Sequence, residues 1–452
     1  MYHWAYDSIF YHIYPLGLCG APERNDFQSP PTPRLDQLYD WIPHMRRLNV
    51  NALYLGPLFE STAHGYDTAD YYWVDRRLGD NGSLARLVAA LHANGIRVIL
   101  DGVFNHVGRD FWAFRDVRQH LQRSPYCDWF QGLAFDRPSS YGDPFSYAGW
   151  SGHYSLVKLN LRHPDVKTHL LQAVETWMRD FDIDGLRLDV ADCLDMDFMR
   201  ELRAFCSARR PDFWLMGEVV HGNYRDWANP ETLHSVTNYE CYKGLYSSHV
   251  DKNYFEIAYS LKRQFGEGGL YEDLPLYNFA DNHDVSRVAS MLTDPAHLYP
   301  LYCLLFTMPG VPSLYYGSEW GLAGQKDSRT DRPLRPQLDL TAAQTAPHPD
   351  LARALERLAG IRQRSPALKY GAYRQLHVGH EQLAFSRQAR DEHVIVVVNA
   401  AAEPALVAFE APEIAGRQLV DLLNPGEVFW GGDGKAHVDA VPSHWARILA
   451  VR

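Results

Sequence analysis

The stretch IRVILDGVFNH, from Ile96 to His106, decides the fold class of this chain. Its first half is a short run of β-branched and other apolar residues, typical of a strand buried on both faces, and the sequence becomes polar at Asp101. A helical pattern precedes it, running from Ser83, the predicted cap, to Ala93, with Gly95 as its end. A helix followed by a buried strand predicts one unit of a parallel α/β sheet.

Seven other short apolar segments between Ser8 and Tyr315 have the character of strands. Amphipathic helical patterns over Leu35 to Leu48, Asp165 to Phe181 and Asp197 to Arg209 separate several of them. Eight parallel strands with helices between them predict a closed (β/α)8 barrel, the TIM barrel of the α/β class. The eight predicted strands are SIFYHIY from Ser8, NALYLG from Asn51, IRVILDGVF from Ile96, GLRLDV from Gly185, FWLMGE from Phe213, HSVTNYE from His234, LYNFAD from Leu276 and PSLYYG from Pro312.

Two parts of the chain depart from this βα pattern. Between residues 105 and 160 the third strand is separated from its helix by a long segment rich in aromatic residues, Gly, Ser and Pro, which predicts a small inserted domain, domain B. After about Gly371 the segments alternate in the manner of strands, which predicts a C-terminal antiparallel β-sandwich. The predicted domains are residues 1–104 and 161–370 for the barrel, 105–160 for domain B and 371–452 for the sandwich.

Composition argues against several classes of protein. The net charge of −11 opposes binding to nucleic acid, because phosphate recognition needs a surface rich in Lys and Arg. The longest apolar runs, such as Leu301 to Pro309, are too short to cross a bilayer, so we expect no membrane contact. The N-terminal sequence lacks the pattern of a signal peptide, and the six cysteines show no CxxC pair. These features predict a cytoplasmic protein with reduced thiols.

Polar residues cluster where the third, fourth, fifth and seventh predicted strands end. In a barrel, the carboxyl ends of the strands carry the functional residues. A buried carboxylate without a partner costs several kcal/mol, so acids at four strand ends indicate a functional site. The four clusters are DGVFNH from Asp101 to His106, RLDVAD from Arg187 to Asp192, GE ending at Glu218, and DNHD from Asp281 to Asp284.

Two of these strand ends carry carboxyls suited to cleaving a glycosidic bond. Arg187 and Asp189 are two residues apart on a strand, so both side chains point toward the barrel axis, and the Arg is expected to lower the pKa of Asp189 and keep it ionised. Glu218 follows the apolar stretch FWLM, where partial desolvation would let it hold a proton for a leaving group. Asp284, with His283, could grip sugar hydroxyls and stabilise an oxocarbenium-like transition state.

Each of these residues also has a structural interpretation. Arg187 and Asp189 could form an ion pair without catalysis, and Glu218 could be a solvated strand end. His106 and His283 could be hydrogen-bonded core histidines. The presence of all four clusters together favours a catalytic site.

The four clusters, in this order, resemble the conserved regions of the α-amylase family, glycoside hydrolase family 13, and the similarity covers essentially the whole chain. GYDTADY, from Gly65 to Tyr71, and GVPSLYYGSEWG, from Gly310 to Gly321, also look like segments of that family. The resemblance implies a retaining reaction through a covalent β-glucosyl intermediate. It implies Asp189 as nucleophile, Glu218 as general acid/base, Asp284 as transition-state stabiliser, and Tyr66, Asp101, His106, Arg187 and His283 as residues that bind the sugar in subsite −1.

Within the family, RLDVAD and VKLN, from Val157 to Asn160, look most like the neopullulanase, cyclomaltodextrinase and maltogenic amylase group. Members of that group usually carry an N-terminal β-domain, whereas the first predicted barrel strand begins at Ser8. Many α-amylases bind Ca²⁺ through a His carbonyl at the place where this chain has Asp192 and Cys193. Asn105 matches a family calcium ligand, but Ca²⁺ takes about six to eight oxygens. We therefore predict no obligatory metal and no cofactor.

The sequence predicts an α-glycosidase that hydrolyses maltooligosaccharides or related α-glucans, with an α-linked oligosaccharide as its binding partner. Two alternatives stay open: glucosyl transfer by the same residues, as in a transglycosylase, a sucrose- or trehalose-active enzyme or a phosphorylase, and a non-catalytic sugar-binding relative. Trp150 and Trp227 are candidate platforms for the sugar beyond the cleaved bond, with packing as the alternative. The linkage preference and the oligomeric state stay open.

Overall fold

Eight parallel strands form the centre of the computed structural model, which describes residues 3–452 apart from the side chains of residues 342–344. The strands are β1 (Phe10–Ile13), β2 (Ala52–Leu55), β3 (Arg97–Gly102), β7 (Gly185–Leu188), β8 (Trp214–Gly217), β9 (Ser235–Val236), β10 (Tyr277–Phe279) and β11 (Val311–Tyr315). They pair in the order β10-β11-β1-β2-β3-β7-β8-β9, and a parallel bridge from Thr237 to Tyr277 joins the two ends. The predicted (β/α)8 barrel and its eight strands are confirmed.

The helices alternate with these strands along the chain. They are α1 (Pro15–Leu18), α2 (Leu38–Arg47), α3 (Asn81–Ala93), α4 (Trp112–His120), α5 (Pro164–Asp180), α6 (Met196–Arg209), α7 (Tyr239–Val250), α8 (Phe255–Phe265), α9 (Val288–Met291), α10 (Leu298–Thr307), α11 (Leu351–Arg364) and α12 (Pro366–Tyr370). The prediction that Ser83 caps α3 is wrong, because the cap is Asp80. Asp80 accepts a hydrogen bond from the Ser83 N–H at 2.7 Å, and Ser83 Oγ accepts one from the Asp80 N–H at 2.9 Å, which completes a capping box.

The register of three neighbouring strands brings functional side chains to one level of the barrel. Asp101 of β3 lies beside Arg187 of β7, and Arg187 lies beside Met216 of β8. Residues paired in parallel strands point to the same face, here the barrel axis. Below this level Trp214 fills the interior, and a Cβ on Gly185 would come within 2.5 Å of the Trp214 carbonyl oxygen. The apolar interior of the barrel therefore lies directly beneath the polar residues.

The segment between β3 and α5 forms a small unit of its own. Its strands are β4 (His106–Gly108), β5 (Gly149–Trp150) and β6 (His153–Lys158), which pair antiparallel in the order β4-β6-β5. Helix α4 lies in the same segment. This arrangement agrees with an inserted domain, and its exact boundaries stay predictions.

The chain after α12 is composed of antiparallel strands. They are β12 (Ala372–Val378), β13 (Gln382–Ala389), β14 (Glu392–Asn399), β15 (Ala405–Glu410), β16 (Gln418–Asp421), β17 (Val428–Trp430), β18 (Lys435–Val441) and β19 (Trp445–Val451). Six pair in the order β12-β13-β14-β19-β16-β17, while β15 pairs with β18, and apolar side chains such as Ile395 and Val438 are buried together in a separate core. The predicted C-terminal sandwich is confirmed.

Among residues 3–452, no helix combines the length and the apolar character needed to cross a bilayer. The cytoplasmic location proposed from the sequence stays a prediction.

Candidate active site

All eight side chains that the sequence predicts for the site lie together at the carboxyl ends of the barrel strands. Each one contacts at least one of the others, and the contacts form one continuous network. The eight residues are Tyr66, Asp101, His106, Arg187, Asp189, Glu218, His283 and Asp284. Residues from five separate stretches of the sequence thus converge on one place.

The guanidinium of Arg187 is the centre of this network. Its Nη1 donates to Oδ1 of Asp101 and to Oδ1 of Asp189, each at 2.9 Å, and its Nη2 lies 2.8 Å from Oε2 of Glu218. Burial by itself would lower the pKa of Arg187, but Asp101 and Glu218 outweigh it and hold that pKa well above the ordinary value. Arg187 is therefore a permanent positive charge shared by three acids.

Asp189 is buried and uses its two oxygens differently. Oδ1 binds Arg187, whereas Oδ2 faces His106, with 3.9 Å to the His106 Nε2. Burial raises the pKa of Asp189 well above its usual range, and the neighbouring acids, Glu218 first, add to this effect while Arg187 opposes it. Arg187 does lower the pKa of Asp189, as expected, but burial outweighs it, because one guanidinium serves three carboxyls.

The two oxygens of Glu218 also differ. Oε2 lies 2.8 Å from Nη2 of Arg187 in an ion pair and accepts a hydrogen bond from the Val190 N–H at 3.1 Å. Val190 reaches this position with a φ of +40°, a left-handed conformation that is strained for a β-branched residue and costs about 1–3 kcal/mol. The strained residue Val190 thus supplies an N–H that helps to orient the Glu218 carboxyl.

The other oxygen of Glu218, Oε1, faces Tyr239. The Tyr239 hydroxyl donates to Oε1 at 3.3 Å and accepts a hydrogen bond from Asn282 Nδ2 at 3.3 Å. Because the Tyr239 oxygen accepts from Asn282, its hydrogen is directed to Glu218. Oε1, which is free of Arg187, is the oxygen available for proton transfer.

Asp284 lies between His283 and Arg335. Its Oδ2 lies 2.9 Å from His283 Nε2, and its Oδ1 accepts a hydrogen bond from Arg335 Nη2 at 2.9 Å. Burial would raise the pKa of Asp284, but the charge and hydrogen bond of His283, together with Arg335 and Arg187, outweigh it and hold that pKa well below the ordinary value. Asp284 is therefore held in the ionised form.

Two further predicted residues border the same space. The Tyr66 hydroxyl donates to Asp101 at 3.0 Å and contacts His283, and its ring lies parallel to the His283 ring at 5.4 Å. Burial lowers the pKa of His106 to about 3, so its ring is neutral at neutral pH. Nε2 of His106 has no hydrogen-bond partner among residues 3–452 and is free to bind a sugar hydroxyl.

Arg335 and Tyr239 are residues of this site that the sequence analysis missed. Arg335 lies beyond the last barrel strand, in a segment without a recognisable pattern, and its role follows only from its contact with Asp284. Tyr239 lies near the end of the sixth predicted strand, HSVTNYE. Its position at a strand end was the signal that could have identified it.

The two tryptophans considered as sugar platforms differ in position. Trp150 in β5 lies beside His106, with 5.7 Å between the ring centroids. Trp227 instead packs against the core and closes over Gly222, where a Cβ would come within 2.9 Å of the indole. These positions favour Trp150 as a platform and packing for Trp227.

The residue that resembles a calcium ligand lies beside the site. Oδ1 of Asn105 is buried without a hydrogen-bond partner in the described part of the chain, and Asn105 lines a cavity of about 500 Å³ together with Cys193 and Asp195. Asp195, however, pairs with Arg162 at 3.0 Å and caps α6. The side chains offer a cation one free buried oxygen next to a guanidinium, which does not fit Ca²⁺.

Comparison with known proteins agrees with this arrangement. Residues 34–366 match the family model for the alpha amylase catalytic domain, and residues 373–445 match the model for the maltogenic amylase C-terminal domain.

Individual relatives match most of this chain. The chain is 33% identical to a cyclomaltodextrinase of a Bacillus species, over 88% of this chain and 73% of that protein. It is 31% identical to neopullulanase 2 of Thermoactinomyces vulgaris, over 97% and 77% respectively. The solved structure of a cyclic α-maltosyl-(1→6)-maltose hydrolase from Arthrobacter globiformis matches with a TM-score of 0.81 at 26% identity, over 100% of both chains. Because the catalytic-domain match covers most of the chain, this protein belongs to the α-amylase family of glycoside hydrolases.

Proposed function

We propose that this protein is a retaining α-glycosidase that hydrolyses α-glucosidic bonds in maltooligosaccharides or related α-glucans. The observation that carries the proposal is the shared guanidinium, since Arg187 holds Asp189 at 2.9 Å and Glu218 at 2.8 Å. Two carboxyls fixed side by side, each with one oxygen free of the guanidinium, suit a double-displacement reaction. The names of the relatives, a cyclomaltodextrinase and a neopullulanase, support α-glucan substrates.

The reaction has two steps. In the first, Oδ2 of Asp189 attacks the anomeric carbon while the bond from that carbon to the glycosidic oxygen breaks. The bonding electrons pass to that oxygen, which takes the proton from Oε1 of Glu218 and leaves as a hydroxyl. In the second, ionised Glu218 removes a proton from water, and the water oxygen displaces Asp189 from the anomeric carbon. Both carboxyls are then restored.

The charges of the site set the roles of its acids. Asp189 and Glu218 share Arg187, while Asp284 pairs with Arg335. Oε1 of Glu218, the oxygen that faces Tyr239, donates the proton of the first step, and Asp189 reacts as the carboxylate.

The remaining residues act on the sugar. Asp284, whose pKa is held low by His283, Arg335 and Arg187, stabilises the positive charge that develops on the sugar ring. Tyr66 stacks on the ring, while the free Nε2 of His106 and the carboxylate of Asp101 bind hydroxyl groups. Trp150 contacts the sugar on the other side of the cleaved bond.

Product analysis on a panel of maltotriose, pullulan, a cyclodextrin, sucrose and isomaltose tests the proposed function. We expect hydrolysis of at least one of the first three, with the α-anomer released first, because two inversions at the anomeric carbon retain its configuration. Proton NMR of the early products gives the anomer. Initial release of the β-anomer would contradict the mechanism, and elongated products that exceed hydrolysis when an acceptor sugar is added would favour a transferase.

Glu218→Gln separates proton donation from binding. We expect kcat on unactivated maltooligosaccharides to fall about 10²–10⁴-fold, because the leaving oxygen is no longer protonated. On an α-glucosyl fluoride, whose leaving group needs no proton, the rate of the first step should fall far less. Glu231→Gln, which changes a 73% exposed glutamate, is the matched control and should retain full activity. If the rate of the first step falls equally on both substrates, Glu218 is not the general acid.

Arg335→Gln should change the pH dependence. Arg335 helps to depress the pKa of Asp284, so its removal raises that pKa and the carboxylate is lost at a higher pH on acidification. The acid limb of the kcat/KM profile should therefore move to higher pH. Arg332→Gln, at a 77% exposed arginine nearby, should leave the profile unchanged. An unshifted acid limb in the Arg335 variant would contradict the proposed role of Asp284.

We propose that the reaction uses neither a metal ion nor another cofactor. The donor set around Asn105 supports this, as does a reaction scheme in which every proton moves between protein, sugar and water. Exhaustive chelation and dialysis should leave kcat at 25 °C unchanged on the substrate identified by the panel. Loss of activity that added Ca²⁺ restores would show that the proposal is wrong.

A further inference from the structure

Two histidines and an aspartate meet where the barrel contacts the C-terminal sandwich. Asp294 and His297 lie in the connection between α9 and α10, and His444 lies in the turn between β18 and β19. One possible ligand atom from each residue lies within 4.8 Å of those from the other two. None of the three residues belongs to the candidate active site, so the reaction does not account for them.

His297 presents an unused nitrogen to this cluster. Its Nε2 contacts the Ala400 carbonyl oxygen at 3.1 Å, and only a protonated nitrogen can donate there, so the lone pair of the neutral ring is on Nδ1. Nδ1 is buried and has no hydrogen-bond partner among residues 3–452, and the whole residue is 1% exposed. A histidine whose second nitrogen donates to a backbone carbonyl has the usual arrangement of a metal ligand.

The same backbone segment holds His444. The His444 N–H donates to the Ala401 carbonyl at 3.1 Å, one residue after the carbonyl that His297 uses. Nε2 of His444 lies 3.9 Å from Oδ2 of Asp294, too far for a hydrogen bond, while Oδ1 of Asp294 accepts from the Ala296 N–H. His444 has a φ of +47°, a strained conformation for histidine. The structure thus places His444 Nε2 and Asp294 Oδ2 opposite each other without a hydrogen bond between them.

A neighbouring histidine shows the contrast. The ring of His249 lies 5.5 Å from that of His297, but its Nδ1 contacts the Leu245 carbonyl at 2.6 Å and its Nε2 contacts the Tyr254 hydroxyl at 2.8 Å. Both nitrogens of His249 are therefore engaged. His297 differs because its Nδ1 is left free.

We propose that Asp294, His297 and His444 bind one divalent transition-metal ion, with Zn²⁺ as the expected occupant, and that this ion fastens the C-terminal sandwich to the barrel. Two imidazoles and a carboxylate are ligands that Zn²⁺, Co²⁺ and Ni²⁺ accept, whereas Ca²⁺ and Mg²⁺ prefer oxygen alone. Three protein ligands leave one tetrahedral position for water. The ion has a structural role, separate from the active site.

Small movements of two partly exposed side chains complete the site. Ligands at about 2.0–2.1 Å from a tetrahedral zinc ion lie roughly 3.4 Å from one another, so atoms now within 4.8 Å must approach by roughly 1 Å. The Asp294 side chain is 48% exposed and that of His444 is 20% exposed, so both can rotate and the ion can enter from solvent. Buried His297 provides the fixed ligand.

Calorimetric titration of the full, untagged chain with ZnCl₂ tests the site. We expect one equivalent to bind with micromolar affinity, and Tm to rise by about 2 °C or more when zinc is at 100-fold excess over its Kd. A Co²⁺ titration should give the visible absorption of a four-coordinate ion.

Two variants and a control identify the ligands. Asp294→Asn keeps an acceptor for the Ala296 N–H, and His444→Asn places a residue that tolerates the left-handed conformation. Each should weaken zinc binding at least tenfold and abolish the rise in Tm, without changing kcat at 25 °C. His437→Ala, which removes an exposed histidine from β18 in the same domain, should bind zinc like the unaltered protein.

The zinc titrations of these variants either support or overturn the proposed metal site. Loss of one zinc equivalent in both ligand variants, with binding retained in the His437 variant, supports the site. The proposal is overturned if zinc does not bind, if the bound equivalent persists in the ligand variants, or if bound zinc leaves Tm unchanged. Because kcat is measured separately, either result leaves the proposed glycosidase activity to be judged on its own.

Discussion

The buried charge of Arg187 is the interaction on which the active site depends. Its guanidinium binds Asp101, Asp189 and Glu218 at the same time, and without it three carboxyls would face one another in a desolvated space. Removing one partner of such a network leaves uncompensated buried charge, which is far more costly than breaking an exposed ion pair. The same interaction fixes the direction of both carboxyls, so stability and geometry have a common origin here.

The closed barrel makes this arrangement possible. The parallel register places Asp101 beside Arg187. Asp189 and Glu218 directly follow the ends of β7 and β8, so they lie next to this pair at the carboxyl end of the barrel. An apolar interior, with Trp214 packed over the bare backbone of Gly185, closes the space below. The acids of the site lie together at the other end of the barrel, where they are screened little by water and act strongly on one another.

The site combines several features that do not favour folding by themselves. Val190 is held in a left-handed conformation, Nε2 of His106 is buried without a partner, and the pKa of Asp189 is raised by burial. Strain and unsatisfied polar groups concentrate at functional sites because the surrounding structure over-determines them. In this protein the surrounding barrel supplies that constraint, and the strained positions lie next to the residues proposed to react.

The sequence by itself determined the eight strands, the C-terminal sandwich and which acids lie at the strand ends, because periodicity and the polar residues at strand ends are local properties of the chain. The tertiary structure alone decided how the charges act on one another. Asp189 sits in a site where desolvation exceeds the effect of its neighbour Arg187, Oε1 of Glu218 is singled out by Tyr239, and Arg335 reaches Asp284 from beyond the last strand. These effects depend on burial and on distances between residues remote in sequence, which no local pattern encodes.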